Sequence, residues 1–225
     1  MNSVLFAPYR FIENAPLFVT AEWEGHMEHR YVCLVDHRSL DFRRAAPGPG
    51  DVDVVGGLVA GLLADAPRIL TGATMGPVHV VVHPLREAPE GLPAEWEDVV
   101  EVSLLSTGGP MVVAGPFDAD PEPAARLDLD GPGSYRVRVH ADGRDLDFDA
   151  VAREPRERYL VQCWPADPQV PLTLRAASRT AARSSSTARV RPLGAVAVRT
   201  PIDPERQEAL ERSIRAREES GRARD

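Results

Sequence analysis

Tyr135-Arg136-Val137-Arg138-Val139-His140 is the stretch that decides the fold. Apolar and polar residues alternate with a period of two. In an extended chain this puts Tyr135, Val137 and Val139 on one face and Arg136, Arg138 and His140 on the other. Val99-Val100-Glu101-Val102-Ser103-Leu104 alternates in the same way, with Glu101 and Ser103 turned outward. Working outward, short apolar or alternating runs recur between Gly, Pro and Asp. They are Leu17–Trp23, Arg30–Asp36, Arg68–Thr71, Val78–His83, Val99–Leu105, Met111–Ala114, Arg126–Leu129, Tyr135–His140 and Arg158–Trp164. Many short strands with turn residues between them are the all-β pattern. The chain is therefore expected to be mainly β, an antiparallel β-sandwich-like domain with a C-terminal helix. Trp96, Tyr135, Tyr159 and Trp164 are expected near the core or its rim.

Turns punctuate these runs. Ser106-Thr107-Gly108-Gly109-Pro110 reads as the turn of a hairpin joining Val99–Leu105 to Met111–Ala114, because paired glycines supply positive φ. Asp130-Gly131-Pro132-Gly133 is a second turn, leading into Tyr135. Asp118–Ala124 is an acidic, proline-bearing loop that should be exposed.

The 225 residues divide by composition into three parts. Residues 1–170 form a β-rich acidic domain, long enough to bury a core without staples. Residues 171–200 form an Arg/Ser/Ala-rich linker or edge strand; Ser184-Ser185-Ser186-Thr187 is linker-like, and Arg189–Arg199 is the candidate strand. Residues 201–225 read as a charged helix, with Asp203 at the N-cap, Pro204 at N1 and the i,i+4 pairs Glu208–Arg212, Glu211–Arg215 and Glu218–Arg222. Strand signals end near Trp164, so a chain ending near Ala176 is expected to keep a cooperative fold.

Charge follows the same division. Every one of the 26 basic residues is arginine; residues 168–225 carry a net +5 and residues 1–167 a net −13. An acidic body repels phosphate and attracts basic proteins. Nucleic acid is thus not expected as a partner except for weak contact through the Arg-rich linker, which lacks aromatic residues for base stacking. No apolar run approaches the ~20 residues of a membrane span. The N-terminal residues lack a basic region before Pro8, so no secretory leader is expected. A cytoplasmic location follows by elimination. Cys33 and Cys163 sit in apolar strand-like runs and read as buried thiols rather than a disulfide framework.

Candidate sites are few. His26 and His29 fall in the expected turn between Leu17–Trp23 and Arg30–Asp36, with His37 downstream. Two or three imidazoles there suit a metal, with Glu24 or Glu28 as an oxygen ligand. Asp145, Asp147 and Asp149 alternate as in a calcium loop, but Ala150 and Arg156 stand where that loop needs Gly and Glu. They are expected on one wet face of an extended segment. His79 and His83 share a strand face and would cluster with His140 if the strands pair. No cofactor motif is present, and no cofactor is expected.

Three segments carry a resemblance: Trp96–Leu104, Gly131–Asp145 and Glu157–Ala166. Together, over about 95–166, they resemble a set of uncharacterised actinobacterial β-rich proteins. More distantly the layout is similar to competence protein J, an inhibitor of a competence-associated nuclease. The resemblance implies no catalytic residues.

The leading expectation is a non-enzymatic intracellular interaction protein, an inhibitor or immunity-type protein. It would bind a basic partner through an acidic face of Asp118, Asp120, Glu122, Asp145, Asp147 and Asp149. Charge reversal of Asp145 and Asp147 is then expected to slow association and leave the melting temperature nearly unchanged. One alternative is a metal-dependent hydrolase using the His26/His29/His37 region. Another is an assembly or regulatory module acting through the C-terminal helix. Partner identity and oligomeric state stay open at this point.

Overall fold

The computed structural model describes residues 18–23 and 26–186. These belong to one compact unit that is mainly β. The expected helix over 201–225 and the candidate strand Arg189–Arg199 lie outside the described residues.

Among the described residues, twelve strands build two sheets. The large sheet runs β1 (Phe18–Trp23), β2 (His26–Val35), β7 (Gly76–Pro84), β11 (Arg158–Pro165), β10 (Gly133–Asp142), β8 (Asp98–Ser106), β12 (Leu172–Ala176), with β4 (Ala45–Pro47) also paired to β8. The small sheet runs β5 (Val59–Ala60), β6 (Arg68–Leu70), β3 (Ser39–Arg43), β9 (Val112–Ala114). All these pairings are antiparallel except β11 with β7, which is parallel. The chain crosses between sheets at Asp36–Arg38, which joins β2 to β3, and again at Arg44, whose φ of 57° turns β3 into β4.

One core fills the space between the sheets. Leu40, Phe42, Val59, Ile69 and Val113 of the small sheet meet Val80, Val82, Val100, Val102, Val137, Val139 and Tyr159 of the large one. The alternation of β10 is as its sequence implies: Tyr135, Val137 and Val139 join the core, and Arg136, Arg138 and His140 take the other face. That outer face is not bare. Residues 89–96 fold over it, held where Arg138 Nη1 donates to Gly91 O (3.0 Å) and Arg175 Nη1 donates to Trp96 O (2.7 Å). Val81, Trp96, Val99 and Leu160 form a second, smaller apolar cluster there. Cys33 and Cys163 are buried and unbridged.

Several local expectations are corrected. Residues 106–110 do turn on Gly108 and Gly109, both at positive φ, but they do not close a hairpin. β8 pairs with β10, and β9 pairs with β3 in the other sheet. Thr107 N donates to Arg44 O and draws the chain across. Residues 126–129 are not a strand. They brace that crossing through buried Asp128, which accepts from Ser106 Oγ (2.5 Å) and Met111 N (2.9 Å). His26 and His29 lie inside β2 rather than in a turn, because Trp23 pairs with His26. Leu172–Ala176 is one edge strand of the large sheet, opposite β1, and it is followed by helix α1 (Arg179–Ser185).

That last segment is bound to the body by a fully buried ion pair. Arg144 Nη1 reaches Asp98 Oδ2 at 2.8 Å, and both side chains are 0% exposed. Asp98 also accepts from Ala177 N, Ser178 N and Ser178 Oγ (2.9, 3.0 and 2.6 Å), and Arg144 Nη2 donates to Gly57 O at 2.7 Å. Removing one partner of such a pair leaves an uncompensated charge and costs about 3–5 kcal/mol.

A chain ending near Ala176 would delete three of the donors to Asp98. The expectation from sequence is therefore reversed: truncation after Ser186 keeps a single cooperative thermal transition, and truncation after Ala176 lowers or abolishes it. Asp98→Ala in the full chain should lower the melting temperature by on the order of 10 °C. Calorimetry on the full chain, the two truncations and the Asp98→Ala variant checks both statements. A chain ending at Ala176 that melts with the full chain would remove α1 from the folding unit.

Candidate functional site

The site grows from the turn between β2 and β3. Asp36 and Ser39 form an isolated bridge, and Ser39 N donates to Asp36 O at 3.1 Å. The two residues between, His37 and Arg38, have φ of 49° and 60°. Two successive left-handed residues are what a mirror-image hairpin turn needs, normally at Asn-Gly. Here each non-glycine residue costs roughly 1–2 kcal/mol, so the surroundings must hold it. His37 Nδ1 sits against the Asp36 carboxylate. Arg38 Nε donates to Thr71 O at 3.4 Å, and its guanidinium lies 4.4 Å over the Phe148 ring.

Beside this turn is an open depression of about 430 Å³. Asp36, His37, Asp41, Arg43, Arg68 and Phe117 contribute to its lining. Asp41 and Arg68 are opposite one another across the β3–β6 pair, yet they form no ion pair with each other. Arg68 Nε instead donates to Ala66 O at 3.3 Å. Among the described residues, Asp41 has no side-chain hydrogen bond or ion pair.

Phe117 stands at the apex of a short loop after β9, and it is 84% exposed. The loop around it is fastened. Arg43 Nη2 donates to Gly115 O (2.6 Å) and Asp118 O (2.9 Å), and its Nη1 reaches Asp120 Oδ1 (2.7 Å). Arg44 Nη1 takes the other oxygen of Asp120 at 2.8 Å. Asp118 Oδ2 accepts from Leu34 N at 2.8 Å. Gly115 is required: a Cβ there would lie 2.0 Å from Leu34 O. The loop therefore presents Phe117 on a fixed backbone.

The six acids expected to form a face have separate local roles. Asp118 and Asp120 belong to the loop just described, and the two arginines hold the Asp120 carboxyl below its usual range. Glu122 is exposed; its carbonyl accepts from Ala125 N, and its side chain makes no cap bond. Asp145, Asp147 and Asp149 are not on an extended segment but in a succession of turns. Asp145 accepts from Arg179 N, Thr180 N and Thr180 Oγ1 (3.0, 2.9 and 2.8 Å). Burial raises its pKa, but these donors outweigh that and hold the carboxyl well below the ordinary range. Asp147 pairs with Arg156 at 3.3 Å, and Asp149 accepts from Thr74 Oγ1 at 3.3 Å. Reversing Asp145 would thus disturb the start of α1, a folding effect that sequence alone did not anticipate. The turn at 36–38 touches both groups, since Asp36 and His37 share the depression with Phe117 and Arg38 lies 3.8 Å from Asp149.

The histidines are not gathered. Six residues of extended β2, about 20 Å, separate His29 from the strand end at Val35, beyond which His37 stands. His26 is farther still. Among the described residues no group of three or more His, Cys, Asp or Glu is placed to hold a metal. His37 keeps its own carboxylate partner and an 87% exposed side chain. The nearby hydroxyl of Ser39, however, is buried and donates to Asp36 O, so no nucleophile is paired with the imidazole. His79, His83 and His140 do share the outer face of the large sheet, but β11 lies between β7 and β10. That places His140 about 10 Å from the β7 histidines across two strand spacings. Sequence reading missed Asp41, Arg43, Arg68 and Phe117. The only trace of the last is an aromatic residue inside a Gly-Pro-x-Asp loop, outside any strand period.

Comparison with protein-family models, with curated proteins and with solved structures finds no match to this chain. No helix among the described residues is long and apolar enough to cross a membrane.

His140 gives this face a measurable pH response. Burial lowers its pKa to about 4, the Leu160 carbonyl opposes the shift, and Arg138 and Arg175 add to it. Its Nε2, like Nε1 of Trp96 5.4 Å away between ring centroids, has no partner among the described residues. A folded pKa below the unfolded value of about 6.5 means that the native state resists protonation. The stability it contributes is complete above pH 6.5 and is lost between there and about pH 4. The loss is on the order of 3 kcal/mol, with His29 and His79, also lowered by burial, acting in the same direction. Urea melts at pH 7.5 and 5 should show this fall, and His140→Gln should flatten it. An unchanged pH slope in that variant would exclude His140 as the source.

Proposed function

We propose that the chain is a non-enzymatic binding protein whose interaction face is built on the loop 115–122, with Phe117 as its aromatic anchor and a basic protein as its partner. The observation that carries this reading is the combination at Phe117 of near-complete exposure and a backbone tied down on both sides by Arg43. Single exposed apolar residues are common on protein surfaces. An aromatic ring on a preorganised loop is different, because binding through it loses little conformational entropy. Binding energy also concentrates in such anchors. Leu34, 57% exposed and bonded through its N–H to Asp118, extends the apolar contact.

Charge supports a basic partner. Asp36, Asp41, Asp118, Asp120 and Glu122 stand against Arg43, Arg44 and Arg68 around this face, a net of −2 on a chain of net −8. Such a field raises the association rate with cationic proteins and selects against acidic ones. An inhibitor or immunity-type protein is the concrete form we favour, since its target would be a basic enzyme. Two buried, unbridged cysteines suit a reducing compartment such as the cytoplasm.

Native affinity capture with the full chain tests the reading. A partner held by the wild type should be lost with Phe117→Ala and kept with Val151→Ala, a control at another solvent-exposed apolar residue. Its association rate should fall as salt rises, because screening shortens to about 8 Å at physiological ionic strength. Retention of the same partner by Phe117→Ala would place the interaction elsewhere on the molecule.

A further inference from the structure

We propose that the depression beside Phe117 is a subsite for a guanidinium group, an arginine side chain presented by the partner. The inference rests on the reading of loop 115–122 as the interaction face and adds the chemistry that the face recognises.

The size is suitable: about 430 Å³ lies within the ~300–1,000 Å³ of small-ligand pockets. The charges of the lining are mostly spent on internal contacts. Arg43 is committed to Asp120 and to the carbonyls of Gly115 and Asp118. Asp36 is committed to His37. Asp41 is the carboxylate left over, with no side-chain partner among the described residues. The aromatic wall is Phe117, joined by Pro116. An unpaired carboxylate next to an exposed ring and a proline suits a planar cation. A guanidinium stacks on the ring while its fork of donors meets the carboxylate. A compact, strongly hydrated ammonium does the second and does the first less well.

Arg68 opposes a cation here, being in the same depression and unpaired with Asp41. That opposition supplies a test with two signs. The variants Asp41→Asn and Arg68→Gln change the same site by one charge in opposite directions.

The probe is N-acetyl-arginine methylamide, titrated into the full chain and followed by amide chemical shifts. N-acetyl-citrulline methylamide, nearly isosteric and neutral, and N-acetyl-lysine methylamide serve as comparisons. The arginine probe should saturate at millimolar concentration, on the order of 4 kcal/mol of binding, with shifts at 36–43, 66–68 and 116–118. Asp41→Asn should weaken it about threefold, and Arg68→Gln should tighten it by a similar factor, as for one solvent-exposed charge pair. Citrulline should give no saturable shift, and lysine a weaker one. Equal shifts with arginine and citrulline, saturation that both variants leave unchanged, or shifts confined to other residues would each overturn the subsite. Melting temperatures of the variants confirm that they fold. If the arginine probe fails while Phe117→Ala still loses the captured partner, the subsite is wrong and the interaction face stands. If Phe117→Ala keeps that partner, the face itself is wrong.

Discussion

The structure depends on one charge pair taken entirely out of water. Asp98 and Arg144 meet at the point where the start of β8, the turn after β10 and the approach to α1 converge. An isolated buried carboxylate or guanidinium would be prohibitive. It is tolerated because four donors surround Asp98 and the Gly57 carbonyl takes a second N–H of Arg144. A second buried carboxylate, Glu157, sits in the same region and accepts from Gly72 N, Ala73 N and Tyr159. The packing is so close that a Cβ on Gly72 would fall 1.8 Å from Arg144 O. The polar centre, more than the apolar core, fixes how the C-terminal part of the described chain is joined to the sheets.

Much of the sheet was legible in the sequence because alternation reports burial directly. β10 presents its apolar residues at every second position, and the residues of β8 and β11 in phase with it, Val100, Val102, Leu104, Tyr159, Val161 and Cys163, are the ones in the main core; Val99 and Leu160, out of phase, join the smaller outer cluster. The strands that escaped are short or carry little apolar weight. β3 offers only Leu40 and Phe42, and β12 is held by register to β8 with most of its residues exposed. Gly108 and Gly109 do turn the chain at 106–110, but a turn signal says nothing of which sheet the chain enters next. Here Asp128 decided that, by holding Ser106 and Met111 on either side of the crossing.

The candidate site was scarcely legible at all, and for a physical reason. Its elements come from β3, β6 and the loop after β9, which are distant in sequence, and none of its residues follows a motif spacing. Acidic clusters drew attention because they are contiguous, yet Asp145 and Asp120 turned out to be local fasteners with arginines, threonines or backbone amides as partners. Arg43 belongs to no motif or spacing, yet it is the residue that shapes the Phe117 loop.

The one parallel pair among the described strands has a consequence for how the chain must come together. β11 is the strand that separates β7 from β10, and it is made only after residues 85–157 have been synthesised. At ~5–20 residues per second that interval is on the order of 4–15 s. Throughout it, β7 can pair with β2 but offers its other edge, including Val80, Val81 and Val82, to whatever strand is nearby. An open apolar edge is a template for wrong partners, including other nascent copies. The steep part of this protein's route to the native state is therefore the wait for its own central strand, and its yield on synthesis should depend more on elongation rate and crowding than on final stability.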